Sequence, residues 1–222
     1  LEEQGEPFGF DTGVARVPIV PAAVIFDLDN GADRRPHAAM GRAACRAAGT
    51  VVAEGAVGAG TGATVGMGRG PGETMPGGVG TASVADGDWT VGALAVVNAL
   101  GDVLDDTGRI IAGTRGPDGA FLDSARLARE AAGPPAPGTN TTLCVVATDA
   151  PLDRTALAAL ARAGSTGMAR RISPAHTPFD GDVVFAVSTT DEARPVAPEQ
   201  VLALSALTAD AVAEAIERAV TR

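Results

Sequence analysis

Short apolar runs, several rich in β-branched residues, recur along the chain between glycine, proline and acidic turns. Residues 17–27 (VPIVPAAVIFD) read as a buried strand punctuated by proline at its start. Residues 36–48 repeat apolar positions at 40, 43, 44 and 47 and predict a helix, with 51–53 as a short extended piece. A glycine-rich run, 55–80, must be loop or glycine-lined strand. Runs 79–85 and 89–98 flank Asp86-Gly87-Asp88, a hairpin signal, and 107–114 holds another short strand. Residues 121–132 predict a helix ending at Gly133.

The second half alternates more plainly. After the proline-rich segment 133–140, residues 141–148 (TTLCVVAT) predict a buried strand. A long helix follows over 151–172, capped by Asp153. Residues 173–182 are loop, 183–188 (VVFAVS) a buried strand, and 201–220 an alanine-rich helix in which Thr208 is the candidate break. Strands buried on both faces imply a layered α/β fold with helices outside, here as one domain over 1–222.

Composition narrows the chemistry. The formal charge is −10, and the 17 basic residues are all arginine; lysine and tyrosine are absent. That excludes a P-loop lysine, a Schiff base, a serine–lysine dyad and a tyrosyl acid or nucleophile. An acidic chain with no basic run is a poor ligand for nucleic acid or anionic membrane surfaces. The apolar stretches fall short of the roughly 18 residues of a membrane span. Cys45 and Cys144 each sit in an apolar segment, as buried free thiols of a reducing compartment would. With no signal-peptide pattern at the N-terminus, the expected location is the cytoplasm.

Several motifs carry little. Residues 58–63 (GAGTGA) match a dinucleotide fingerprint, but the glycines that follow cannot form the helix it requires, and Met67 stands where a Walker loop needs lysine. His37 opens a helix beside Arg34 and Arg35, a solvated face. His176 lies four residues before Asp180, but no GxSxG supplies a serine for a triad. The two Cys and two His lack the paired short spacings of a zinc site, so no metal site is expected from them. Asn140-Thr141-Thr142 fits a glycosylation pattern only by coincidence in a chain without secretory signals.

The informative constellation is a junction. A proline-rich segment ends at Thr139-Asn140, and Thr141 at once opens a strand. This suits self-cleavage, in which the Thr141 hydroxyl attacks the Asn140 carbonyl and water hydrolyses the resulting ester. Thr141 becomes a new N-terminus whose α-amine, with an ordinary pKa near 8, serves as base for its own hydroxyl. No His or Lys is then needed. The plain alternative is a loop followed by a strand that happens to begin Thr-Thr.

The stretch NTTLCVVATDAPLDRTALAALARAGSTGMARRISPAHTPFDGDVVFAVST resembles the β-subunit of the self-processing L-aminopeptidase/D-esterase family, which includes β-peptidyl aminopeptidases and a pantetheine hydrolase. VPIVPAAVIFD, GAGTGATVG, GGVGTAS and VGALAVVNALGDV resemble its α-subunit. The resemblance implies a four-layer αββα sandwich akin to N-terminal-nucleophile hydrolases. It implies cleavage between Asn140 and Thr141 into segments 1–140 and 141–222, with Thr141 as nucleophile. Asn98 matches the family asparagine of the oxyanion hole, and Asp180 and Asp182 fall on the hydroxyl and carboxylate pair behind the nucleophile. Asp180 is then expected to hold the freed amine of Thr141, while Asp182 is equally readable as a loop carboxylate capping a turn.

The implied substrate is a small peptide or amide, without cofactor, and the implied assembly a homo-oligomer, often a tetramer. Members of the family carry a further segment ahead of the block that starts here near Val17. The chain therefore reads as N-terminally truncated, with an uncovered sheet edge or apolar patch expected. The β-peptidyl enzymes use a tyrosine near the nucleophile where this sequence offers Phe26, so their substrate preference does not carry over. Three alternatives stand beside hydrolysis: an inactive truncated pseudo-hydrolase, an acyltransferase using the same nucleophile, and a small-molecule or partner-binding module built on the glycine-rich surface.

Overall fold

A computed structural model describes residues 5, 9–28, 30–32, 34–67, 72–130, 139–190 and 192–222. It divides into two compact units, Leu1–Val24 with Asp33–Val52, and Ile25–Ala32 with Ala53–Arg222. The first contains the strand pair β1 (Phe10–Asp11) and β2 (Arg16–Val17) and the helix α1 (Ala38–Ala47). The run 17–27 is not the buried strand its apolar content predicts. Beyond Val17 it forms no strand, and Ile19, Val20 and Val24 are exposed. A strand needs ladder partners as well as apolar side chains, and Pro18 and Pro21 have no N–H to offer one. Helix α1 buries no residue, so Cys45 is exposed where a buried thiol was expected; Cys144 is buried.

The second unit holds the larger core. Its strands are β3 (Thr64–Val65), β4 (Met75–Pro76), β5 (Gly78–Asp86), β6 (Trp89–Asn98), β7 (Asp102–Leu104) and β8 (Ile110–Ala112). After helix α2 (Ser124–Glu130) come β9 (Thr141–Thr148), helix α3 (Arg154–Arg171), β10 (Ile172–Ser173), β11 (Val183–Ser188) and helix α4 (Pro198–Thr221). The predicted extension of α2 to residue 132, the proline-rich 133–138 and part of the glycine run, 68–71, lie outside the described residues.

Strands β11, β9, β6 and β5 form one sheet in that order, with β11 parallel to β9 and the other pairs antiparallel. The β5–β6 hairpin turns at Gly87, whose φ of 64° suits glycine. Helices α3 and α4 cover one face of this sheet. Alanines 211, 215 and 219 recur every fourth residue along α4 and are buried. Facing them, Gly80 lies so close that an added Cβ would stand 2.0 Å from the Ala215 carbonyl oxygen. Between the helices, a Cβ on Gly167 would stand 2.3 Å from the Ala209 carbonyl oxygen. Small residues thus replace bulky knobs, and backbone packs on backbone.

Asp153 caps α3 as expected, its carboxylate accepting from Ala156 N at 2.8 Å. Helix α4 is unbroken at Thr208, whose hydroxyl donates to the Leu204 carbonyl 2.7 Å away and so stays within its own helix.

The two faces of the sheet differ. The helix face carries Ala95, Cys144 and Val146, all fully buried. On the opposite face Leu94, Val145 and Phe185 lie in register, and Val145 and Val187 are 42% and 44% exposed. The expectation of strands buried on both faces therefore fails for β9, which alternates along most of its length, and for β11, none of whose residues is fully buried. A second sheet, β10–β7–β8, is anchored by Asp102. This buried carboxylate accepts from Thr114 N at 2.9 Å and from both Ser124 N and Ser124 Oγ at 2.6 Å, and burial pushes its carboxyl above the usual range.

Candidate active site

The register of the four-stranded sheet brings the candidate residues together. Asn98 ends β6 and Thr141 begins β9, and the two pair directly across the antiparallel ladder. On the other side of β9, Asn140 pairs with Asp180 in a parallel bridge just ahead of β11. The junction between loop and strand is therefore held on both sides. Asn98, Thr141 and Asp182 are all buried or nearly so.

The Thr141 hydroxyl donates to the Asn140 carbonyl oxygen at 2.6 Å. Gly181 N donates to the same oxygen at 2.9 Å. The carbonyl that self-cleavage would attack thus receives two donors, one from the would-be nucleophile and one from the backbone of the FDGD segment.

Asn98 is oriented by three contacts. Its Oδ1 accepts from Thr64 N at 2.9 Å. Its Nδ2 donates to the Phe26 carbonyl at 3.2 Å and to the Thr139 carbonyl at 3.0 Å. The position where the family tyrosine was compared with Phe26 thus contributes a main-chain oxygen to the site. Asn98 sits one residue upstream of the scissile carbonyl, not on it.

The two aspartates divide their contacts. Asp180 Oδ2 accepts from Thr177 N at 2.9 Å and Thr177 Oγ1 at 2.6 Å, closing the turn before Gly181. Asp182 Oδ1 accepts from Thr142 N at 2.7 Å, and its Oδ2 from His176 N at 2.9 Å. His176 Nδ1 lies 3.3 Å from the same Oδ2. Burial raises the Asp182 carboxyl above the usual range, partly countered by these backbone donors. Cys144, one turn of the pleat along β9, is pushed up to about 12 by burial and the nearby Asp182 charge.

His176 and Gly181 were the residues the sequence undervalued. His176 wraps Asp182 through both backbone and ring, in a left-handed conformation with φ 54°. Gly181 stood in plain view within FDGD; the signal was a glycine between two acids where a Cβ would stand 2.7 Å from Thr141 Oγ1.

The model of peptidase family S58 matches residues 5–222. The chain belongs to peptidase family S58. An uncharacterized aminopeptidase of Mycobacterium tuberculosis (H37Rv) is 41% identical over 236 residues, covering 97% of this chain and 66% of the relative. Among solved structures, a β-aminopeptidase from Burkholderia sp. matches with TM-score 0.59 and 28% identity, over 84% of this chain and 52% of that one. The L-aminopeptidase D-Ala-esterase/amidase of Ochrobactrum anthropi, a variant of the Ntn hydrolase fold, matches with TM-score 0.52 and 28% identity, over 76% of this chain and 44% of that one. The α/β fold is thus that of Ntn hydrolases. The chain spans about two thirds of the mycobacterial relative's length and about half of each solved structure's.

Proposed function

We propose that this S58 chain is a self-processing N-terminal-threonine hydrolase that cuts itself between Asn140 and Thr141 and then releases residues from small peptides or amides. The observation that carries the reading is the Thr141 hydroxyl, 2.6 Å from the oxygen of the carbonyl it would attack. In the first reaction Oγ1 adds to the Asn140 carbonyl carbon, and the bond from that carbon to Thr141 N breaks. The hydroxyl proton ends on the departing nitrogen. Water then hydrolyses the Asn140 ester, leaving a carboxylate, a free hydroxyl and a free α-amine on Thr141.

In the second reaction the amine, neutral above its ordinary pKa near 8, takes the proton of its own hydroxyl as Oγ1 attacks a substrate carbonyl. Asn98 Nδ2 donates to the negative oxygen that develops. Asp182 anchors the next backbone N–H of the strand, and Asp180 holds the turn beside it or, once the amine is free, the amine itself. The names of the mycobacterial relative and of both solved neighbours, all aminopeptidases, support peptide or amide substrates with a free amino end. A cytoplasmic homo-oligomer completes the reading.

Short peptides with free and with acetylated N-termini test it. Release of the first residue from the free peptides alone, abolished in Thr141→Ala, is the expected result. Equal release by Thr141→Ala would overturn it, and transfer of the acyl group to an added amine would assign an acyltransferase instead.

A further inference from the structure

The geometry points to a division of labour between two oxyanion donors, in which the Gly181 backbone N–H serves self-cleavage and Asn98 serves only the reaction that follows. This rests on the reading of Thr141 as a self-processing nucleophile. Asn98 Nδ2 has two hydrogens, and both are engaged, one by the Phe26 carbonyl and one by the Thr139 carbonyl. Its oxygen is occupied by Thr64 N. In the uncut chain the side chain is therefore fully committed and offers nothing to the Asn140 oxygen.

Gly181 N does touch that oxygen, at 2.9 Å. When Oγ1 of Thr141 adds to the Asn140 carbon, the C=O becomes C–O⁻ and the hydroxyl proton passes to Thr141 N as the C–N bond breaks. The N–H of Gly181 already lies on the atom that takes the charge. A donor held in place before the reaction costs no reorganisation when charge develops.

The surroundings fix this N–H on both sides. Before it, Asp180 closes its turn on Thr177 and pairs with Asn140. After it, Asp182 is tied to Thr142 N, one residue past the nucleophile. The absence of a side chain at 181 has the same logic. A Cβ there would stand 2.7 Å from Thr141 Oγ1, displacing the attacking atom.

Cleavage changes the assignment. Thr139 and Asn140 then belong to a free C-terminal end and can leave, which releases one hydrogen of Asn98 Nδ2. Asn98 still faces Thr141 across the ladder, so the freed donor points to where a substrate carbonyl would meet the nucleophile. The amide that tethers the uncut chain thus becomes the donor of the mature enzyme only after the tether has gone.

The test removes each donor singly and follows cleavage of the full chain in cell-free synthesis by intact mass. Placing glycolic acid at position 181 exchanges its backbone N–H for an ester oxygen and leaves all side chains in place. Loss of one such donor is expected to slow cleavage about 100-fold. Asn98→Ala is expected to cleave itself within about tenfold of wild type but, once cut, to hydrolyse peptides about 100-fold more slowly. A 181 ester that cleaves within threefold of a cleaving wild type overturns the inference and leaves the self-processing reading standing. So does an Asn98→Ala chain that keeps the wild-type melting temperature yet cleaves as slowly as the ester. A wild-type chain that never cleaves overturns both.

Discussion

Replacing Asp182 with alanine, in a Thr141→Ala background so that the chain stays whole, removes the clamp between the start of β9 and the 175–181 loop. Two backbone N–H groups lose their acceptor, Thr142 N at 2.7 Å and His176 N at 2.9 Å. A hydrogen bond to a charged group contributes about 1.5–3 kcal/mol, and stranding a buried donor forfeits a similar amount. Against this, the variant no longer desolvates a carboxylate whose side chain is only 4% exposed. The balance is a loss of about 2–4 kcal/mol, read as a lower urea midpoint at unchanged slope. The pH dependence gives a second check through Asp182→Asn. Burial raises the folded carboxyl above its unfolded value. Between those two values the folded chain holds a proton that the unfolded chain has lost, so stability falls as pH rises through that window. The advantage of the parent over Asp182→Asn should therefore shrink as pH is raised from about 4. Asp102, shifted in the same direction, is common to both chains and cancels. An alanine variant within 0.5 kcal/mol of the parent, or an advantage that grows with pH over that window, refutes the account of Asp182.

Other consequences are simpler. Gly80→Ala should cost about 3 kcal/mol because its Cβ would strike the Ala215 carbonyl, whereas Gly92→Ala, with nothing nearer than 3.9 Å, should be tolerated; paired urea titrations decide. An alkylating reagent should label Cys45 in the folded chain and reach Cys144 only after unfolding, since burial pushes the latter thiol up to about 12; peptide mapping of the labelled sites checks this. Thr208→Val should change stability by less than about 1 kcal/mol and leave helical circular dichroism intact, because the hydroxyl serves only its own helix.

What could be read from the sequence follows from how local each cause is. The β5–β6 hairpin, β9 and the Asp153 cap depend on residues within a few positions of one another, and the structure matches them closely. The run 17–27 misled because its apolar content says nothing about a partner, and two prolines deny it ladder donors. The expectation of fully buried strands failed for a related reason: apolar composition does not say which face of β9 is covered. At the site, Thr141 was named from its junction and Asn98, Asp180 and Asp182 from the family resemblance, and the fold brings all of them around one peptide bond. What could not be read was which atom touches which. Asn98 meets Phe26, 72 residues away, and the backbone N–H of Gly181 joins the Thr141 hydroxyl on the Asn140 carbonyl oxygen. Main-chain donors leave no mark in composition.

The most direct test of the central claim is the intact mass and N-terminal residue of purified protein, wild type beside Thr141→Ala. The account predicts a fragment of residues 141–222, beginning at Thr141, in wild type and a single uncut chain in the variant. A wild-type chain that remains whole after prolonged incubation, or a cut at any other bond, would contradict it.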